Sequence, residues 1–196
     1  MNTKRNAGYI IGGVLLLLGI FIMFSFNGLV KKEEKVKLQW NEVQNAYQRR
    51  LDLIPTLVST VQGGAKYEQT VLEEVIAARA KANFVNVKQD NVSAQGFEAQ
   101  SQAQNDLAAA SNKLLISVEK YPELKGTKPF ITLQTQLERT ELRIKVARKD
   151  FNDAIQIYNT SVRSLPTSIV ASLFKFSSQN GFQSDAGAEK ATEIKF

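Results

Sequence analysis

Apolar and polar positions alternate in three registers along this chain. Residues 6–30 carry no charge, and residues 9–26 are almost entirely apolar, with no polar face. Eighteen such residues make a helix of roughly 27 Å, enough to cross most of a bilayer core. After Lys31 the pattern becomes amphipathic: Val36, Trp40, Val43, Tyr47, Leu51 and Ile54 step by four, three, four, four and three. No helix breaker lies between Lys31 and Ile54, so the apolar helix is expected to run into the next one as a single rod. Pro55 removes a backbone donor and predicts a kink near residues 51–54, and Gly63-Gly64 marks a second weak point.

A second stripe, Tyr67, Val71, Val75, Ala78 and Ala82, ends near Phe84, and the polar residues 83–93 read as a loop. A third helix is expected over residues 94–121, with Leu107, Ala110, Leu114 and Tyr121 on its seam and a weakly packed start rich in Gln, Ala and Ser. Pro122 and Gly126 bound a turn. The fourth helix carries the clearest pattern, from Pro129 to about Arg163. Phe130, Leu137, Ile144, Phe151 and Tyr158 recur every seven residues, with Leu133, Thr140, Ala147, Ala154 and Ser161 between them. Large residues in one row and small ones in the other suit close antiparallel packing. Pro166 ends the run, and the remaining polar tail is expected to be flexible.

The pattern defines an all-α chain, an N-terminal transmembrane helix followed by an elongated antiparallel (up-and-down) helical bundle. Its expected parts are an anchor at 1–30, a bundle at 31–165, and a short apolar segment with a flexible tail at 166–196. A cleavable signal peptide is the competing reading of the N-terminus. The length of the apolar run and the lack of an A-x-A-like site favour a retained anchor at the cell membrane. Orientation stays open. Lys31, Lys32, Lys35 and Lys37 favour a cytoplasmic bundle, whereas the short basic N-terminus with Lys4 and Arg5 suits an exporting signal anchor.

Composition narrows the chemistry. The chain has 196 residues, a net charge of +6, no Cys and no His. Disulfides, thiolate metal sites and cysteine nucleophiles are therefore excluded, and the commonest general base and transition-metal ligand is missing. Basic and acidic residues interleave, as solvated helix faces do, so nucleic acid is not an expected partner. No phosphate-binding glycine loop or nucleophile elbow occurs. No catalytic residue, cofactor or metal is expected.

Polar residues beside the seams, Arg50, Asp52, Glu68, Arg79, Glu141, Arg148, Asn152 and Asn159, are expected to form a structural network that fixes helix register. The sharper alternative is a polar ligand groove. Ile169, Val170, Leu173, Phe174 and Phe176 form a candidate contact patch. It is expected to fold back and cap the bundle, the alternative being docking to lipid, a partner or a second copy.

Several of these residues fall in a recognisable order. Asn45-Ala46-Tyr47, Arg49-Arg50-Leu51-Asp52-Leu53-Ile54-Pro55, Leu57-Val58, Gly63, Glu68 and Ala78-Arg79-Ala80 resemble the LemA family. Glu119-Lys120-Tyr121-Pro122-Glu123-Leu124-Lys125 continues the resemblance, as do Leu133-Gln134, Leu137-Glu138, Thr140-Glu141, Arg143-Ile144, Ala147-Arg148, Phe151-Asn152, Tyr158-Asn159, Pro166 and Ile194-Lys195-Phe196. The resemblance implies a membrane-anchored helical bundle of bacterial type, with no established activity and no assigned cofactor. Three functions are carried forward. The first is a non-catalytic scaffold or adaptor, an integral one-span protein offering a rigid bundle to unidentified protein partners or to itself. The second is a membrane-shaping or lipid-contacting protein, and the third a small-ligand receptor or enzyme using inter-helix polar residues.

Overall fold

A computed structural model describes residues 3–63, 69–85 and 94–182. Six helices follow one another: α1 Thr3–Gln62, α2 Gln69–Phe84, α3 Ala94–Val118, α4 Pro122–Lys125, α5 Lys128–Arg163 and α6 Thr167–Leu173. No strand occurs among the described residues. The 60 residues of α1 make a rod of roughly 90 Å. Its N-terminal part, from Ile10, is one stretch long and apolar enough to cross a membrane, and its residues 10–21 are all exposed.

The C-terminal part of α1 is a core helix of the bundle, packed along α5, while α2 and α3 pair with each other and close over them. The heptad rows of α5 face inward as the spacing requires: Phe130, Ile144, Phe151 and Tyr158 are buried, and so are Leu133, Thr140, Ala147 and Ala154. Thr140 fits this apolar row because its Oγ1 donates to the Gln136 carbonyl at 2.8 Å.

Two hydrophobic clusters result. The near cluster, beside the apolar part of α1, joins Leu29, Val36, Trp40, Val43 and Tyr47 to Phe97 of α3 and to Ile144, Phe151, Ile155 and Tyr158 of α5. The far cluster joins Leu51, Ile54, Leu57 and Val61 to Val71, Val75, Leu107, Leu114, Leu124, Phe130 and Leu133. Aromatic rings fill the near cluster; aliphatic side chains fill most of the far one.

Helix α1 stays helical through Pro55. A proline has no N–H to offer the carbonyl four residues earlier, so Leu51 is left with a free acceptor inside the bundle. Arg79 of α2 supplies the donor, its Nε reaching the Leu51 oxygen at 3.0 Å. The start of α3 also differs from expectation. Phe97, Gln100, Ala103 and Gln104 are all buried, so this polar-looking segment is tightly packed. Gln100 satisfies its amide through a reciprocal pair with Gln44, both bonds 3.1 Å long.

Candidate functional site

Five of the expected polar residues fall into two constellations, and Arg79 stands apart on the Leu51 carbonyl. The first lies between the two clusters and centres on Arg50, which α1 buries one helical turn beyond Tyr47. Its Nη1 donates to the Gln104 carbonyl at 2.8 Å and to Gln104 Oε1 at 3.3 Å, and its Nη2 pairs with Glu141 of α5. The pair is lopsided: the Arg50 side chain is 5% exposed and that of Glu141 62%. Burial pulls the Arg50 guanidinium below the ordinary arginine range, and Glu141 opposes that shift. Arg148 stands nearby with Nη2 on Ser101 Oγ at 2.7 Å. This layer ties α1, α3 and α5 into one register.

Tyr47 borders the layer with its ring buried. Its hydroxyl is the one buried side-chain polar atom among the described residues with no hydrogen-bond partner. Burial raises its pKa, with Arg148 and Arg50 acting in the opposite direction.

One of the expected network residues does not pair across helices. Asp52 is exposed and accepts only from Gln48 on its own helix, at 2.8 Å, so the expectation of inter-helix pairing is corrected there. It sits two residues past Arg50, on the solvent side of the same helix. Glu68 lies outside the described residues.

Asn152 and Asn159 form the second constellation, and they hold the chain's own C-terminal segment rather than a neighbouring helix. Asn152 Nδ2 donates to the Phe182 carbonyl at 3.0 Å, and the Phe182 N–H returns a bond to Asn152 Oδ1 at 2.9 Å. Asn159 does the same with Gln179, at 2.8 Å in both directions. Seven residues of α-helix and three of extended chain each rise about 10 Å, so the two amides meet backbone positions three residues apart. The flexible tail expected after residue 176 is therefore corrected for residues 177–182; residues 183–196 lie outside the described set.

The clamped strap carries an aromatic plug. Phe182 meets Trp40, Phe97 and Phe151 at centroid distances of 6.0, 5.4 and 5.6 Å, with the Arg148 guanidinium 4.5 Å from its ring centre. A Cβ on Gly181 would lie 2.5 Å from Asn152 Oδ1, so a larger residue would displace the amide that clamps the strap. Beside the strap runs an open groove of roughly 680 Å³, lined by Asn152, Gln156, Asn159 and Arg163 on α5 and by Gln179 and Asn180. Gln100, Gln104, Phe97 and Phe182 carry much of both constellations, although their sequence surroundings look solvated.

The apolar patch after Pro166 divides. Val170 is buried, and Phe176 is half-buried and packs on the near cluster. Ile169, Leu173 and Phe174 are exposed. Lys175 ends α6 with φ of 62°, and the Lys175 and Phe176 N–H groups bond back to Ser172 and Ala171. That helix-ending turn sends Phe176 back to the bundle. The patch thus caps with one face and leaves the other uncovered.

Among the described residues no group of three or more Asp or Glu side chains is placed to hold a metal ion. The architecture is an all-helical bundle whose first helix also carries a membrane-length apolar run. The sequence matches the LemA family over residues 39–196, and the chain belongs to that family. It is 23% identical over 160 residues to Protein LemA of Metamycoplasma hominis, an alignment covering 80% of this chain and 69% of that protein.

Proposed function

We propose that this chain is a single-pass membrane protein that acts as a non-catalytic scaffold, holding a rigid bundle at the membrane surface for other proteins to bind. The observation that carries the reading is α1: one unbroken helix is both the candidate span and a core helix of the bundle. No linker separates the two, so the bundle cannot swivel on its mounting as a tethered domain would. The polar side chains support a structural role as well. Arg50, Arg79, Arg148, Asn152 and Asn159 each direct donors at groups of this same chain.

Two measurements test the proposal. The full chain should stay in the pellet after carbonate extraction, with its N-terminus mapping before residue 10; a soluble chain beginning after residue 26 would contradict a retained span. A flexible Gly/Ser insert after Lys31 detaches Leu29 and Phe26 from the near cluster and should lower the bundle's melting temperature modestly, while altering the set of proteins captured by proximity labelling in the native host. An unaltered set would count against a rigid scaffold.

A further inference from the structure

α6 sits at the near end of the bundle, beside the last turn of the charge-free part of α1. Phe174 and Phe176 both reach Phe26 of that turn, at ring-centroid distances of 4.8 and 5.7 Å. Lys31, Lys32 and Lys35 begin five residues further on, about 7 Å along the helix axis. In a membrane protein this boundary between apolar helix and lysines marks the headgroup level, where aromatic rings and lysines collect. α6 is therefore held at that level by contacts already made within the chain.

One face of α6 is used: Val170 and Ala171 are buried against the bundle. The other face is apolar and uncovered. Ile169 and Leu173, one turn apart, are 65% and 66% exposed, and Leu165 just ahead of the helix is 80% exposed. Phe174 adds half of its ring. Ile76, Ile116 and Ile131 are exposed as well, but on elements that build the far half, while on the near half Leu38 and Ile157 are exposed singly on α1 and α5. Lys175, exposed directly after the helix, places an ammonium at the rim of this face although its backbone adopts a conformation that favours glycine. A short element that is apolar outward, flanked by cations and fixed beside a span suits the acyl–headgroup boundary.

We propose that Leu165, Ile169, Leu173 and Phe174 form a second membrane contact that inserts into the interfacial layer of the bilayer crossed by α1. The inference rests on the membrane-anchored reading above and adds a lipid surface as the partner of α6. The contact gives the bundle two footings, the span and α6, and so fixes its tilt and rotation relative to the membrane plane.

Because the chain has no cysteine, single spin labels can be placed without altering any native thiol. Full-length chains carrying Leu16→Cys, Ile169→Cys, Leu173→Cys or Ile116→Cys would be reconstituted in phosphatidylcholine/phosphatidylglycerol bilayers. Collision rates with oxygen, which concentrates in lipid, and with a water-soluble nickel chelate would then be compared. Labels at 16, 169 and 173 should collide preferentially with oxygen, by several-fold relative to the label at 116. If 16 is in lipid while 169 and 173 match 116, α6 faces water and the inference is overturned with the anchor intact. If 169 and 173 are shielded from both reagents, protein covers the face, whether a second copy or the chain's own tail, and the inference is again overturned. If 16 itself is in water, the anchored reading falls and this one with it.

Discussion

The two halves of the bundle reach stability by different routes. The far half packs aliphatic side chains of α1, α2, α3 and the start of α5. The near half gathers Trp40, Phe97 and Phe151 into a knot of rings and then needs the strap, whose Phe182 is the fourth ring. The far half thus consists of helices laid side by side, whereas the near half is completed by residues close to the C-terminus. The half that adjoins the apolar part of α1 is the one closed by a segment distant in sequence from the helices it covers. Between them Arg50 ties three helices, so neither half can shift register alone.

Removing the centre of the knot should have the largest effect. Phe151→Ala is expected to cost about 3–5 kcal/mol in chemical denaturation, as for other large-to-small aromatic changes in cores. Its hydrogen-exchange losses should concentrate in residues 36–47 and 97–104. Uniform loss across both halves would mean that they are one cooperative unit.

The boundary layer comes next. Glu141→Ala leaves a buried guanidinium without its carboxylate and is expected to cost about 2 kcal/mol. Arg50→Ala leaves a carboxylate that already faces water, and its cost comes from lost packing and from the hydrogen bonds it takes away from buried Gln104. The double variant should cost less than the two singles combined; strict additivity would show that the pair is not coupled.

Smaller effects are expected at the strap. Gly181→Ala should release it at a cost of about 1–2 kcal/mol, with Trp40 fluorescence reporting the departure of Phe182. The far half should keep its exchange protection. If Trp40 emission and stability both hold, the strap does not complete the knot.

The smallest effect concerns Tyr47. Its hydroxyl has no partner, so Tyr47→Phe is expected to change stability by no more than about 0.5 kcal/mol, or to raise it. Burial raises the pKa of Tyr47 and of Tyr158 above the ordinary 10.0. A raised folded pKa means stability is intact below pH 10 and falls as pH climbs through the folded value. The denaturation midpoint should therefore decline above pH 10, and less so in Tyr47→Phe. An equal decline in both would remove Tyr47 from that titration.

Much of this fold was legible in the chain. The sevenfold recurrence from Phe130 to Tyr158 gave α5 its inward face, and the uninterrupted stripe from Val36 to Ile54 gave α1 its rod, because helical periodicity is a local property. Arg50 and Glu141 were also found, each standing beside a seam. What was missed depends on contacts between distant segments. Gln100 and Gln104 read as solvated until Gln44 and Arg50 approach from another helix. Phe182 stands among Gln, Asn, Gly and Ser, where a lone aromatic carries no periodic signal. The Arg79–Leu51 bond had a local clue, since Pro55 orphans the carbonyl four residues before it, but the donor could be located only in three dimensions. Asn152 and Asn159 were singled out as polar residues beside the seam, and their amides face a strap with no pattern of its own.

The proposal of a rigidly mounted bundle stands or falls on residues 27–36, where the apolar part of α1 becomes part of the near cluster. Hydrogen exchange of the full chain in bilayers tests that stretch directly. A continuous rod requires backbone amides of residues 31–36, beyond the apolar run, to exchange as slowly as those of residues 40–47 in the core. Fast exchange confined to 31–36, with the core still protected, would reveal a hinge and contradict the rigid mounting.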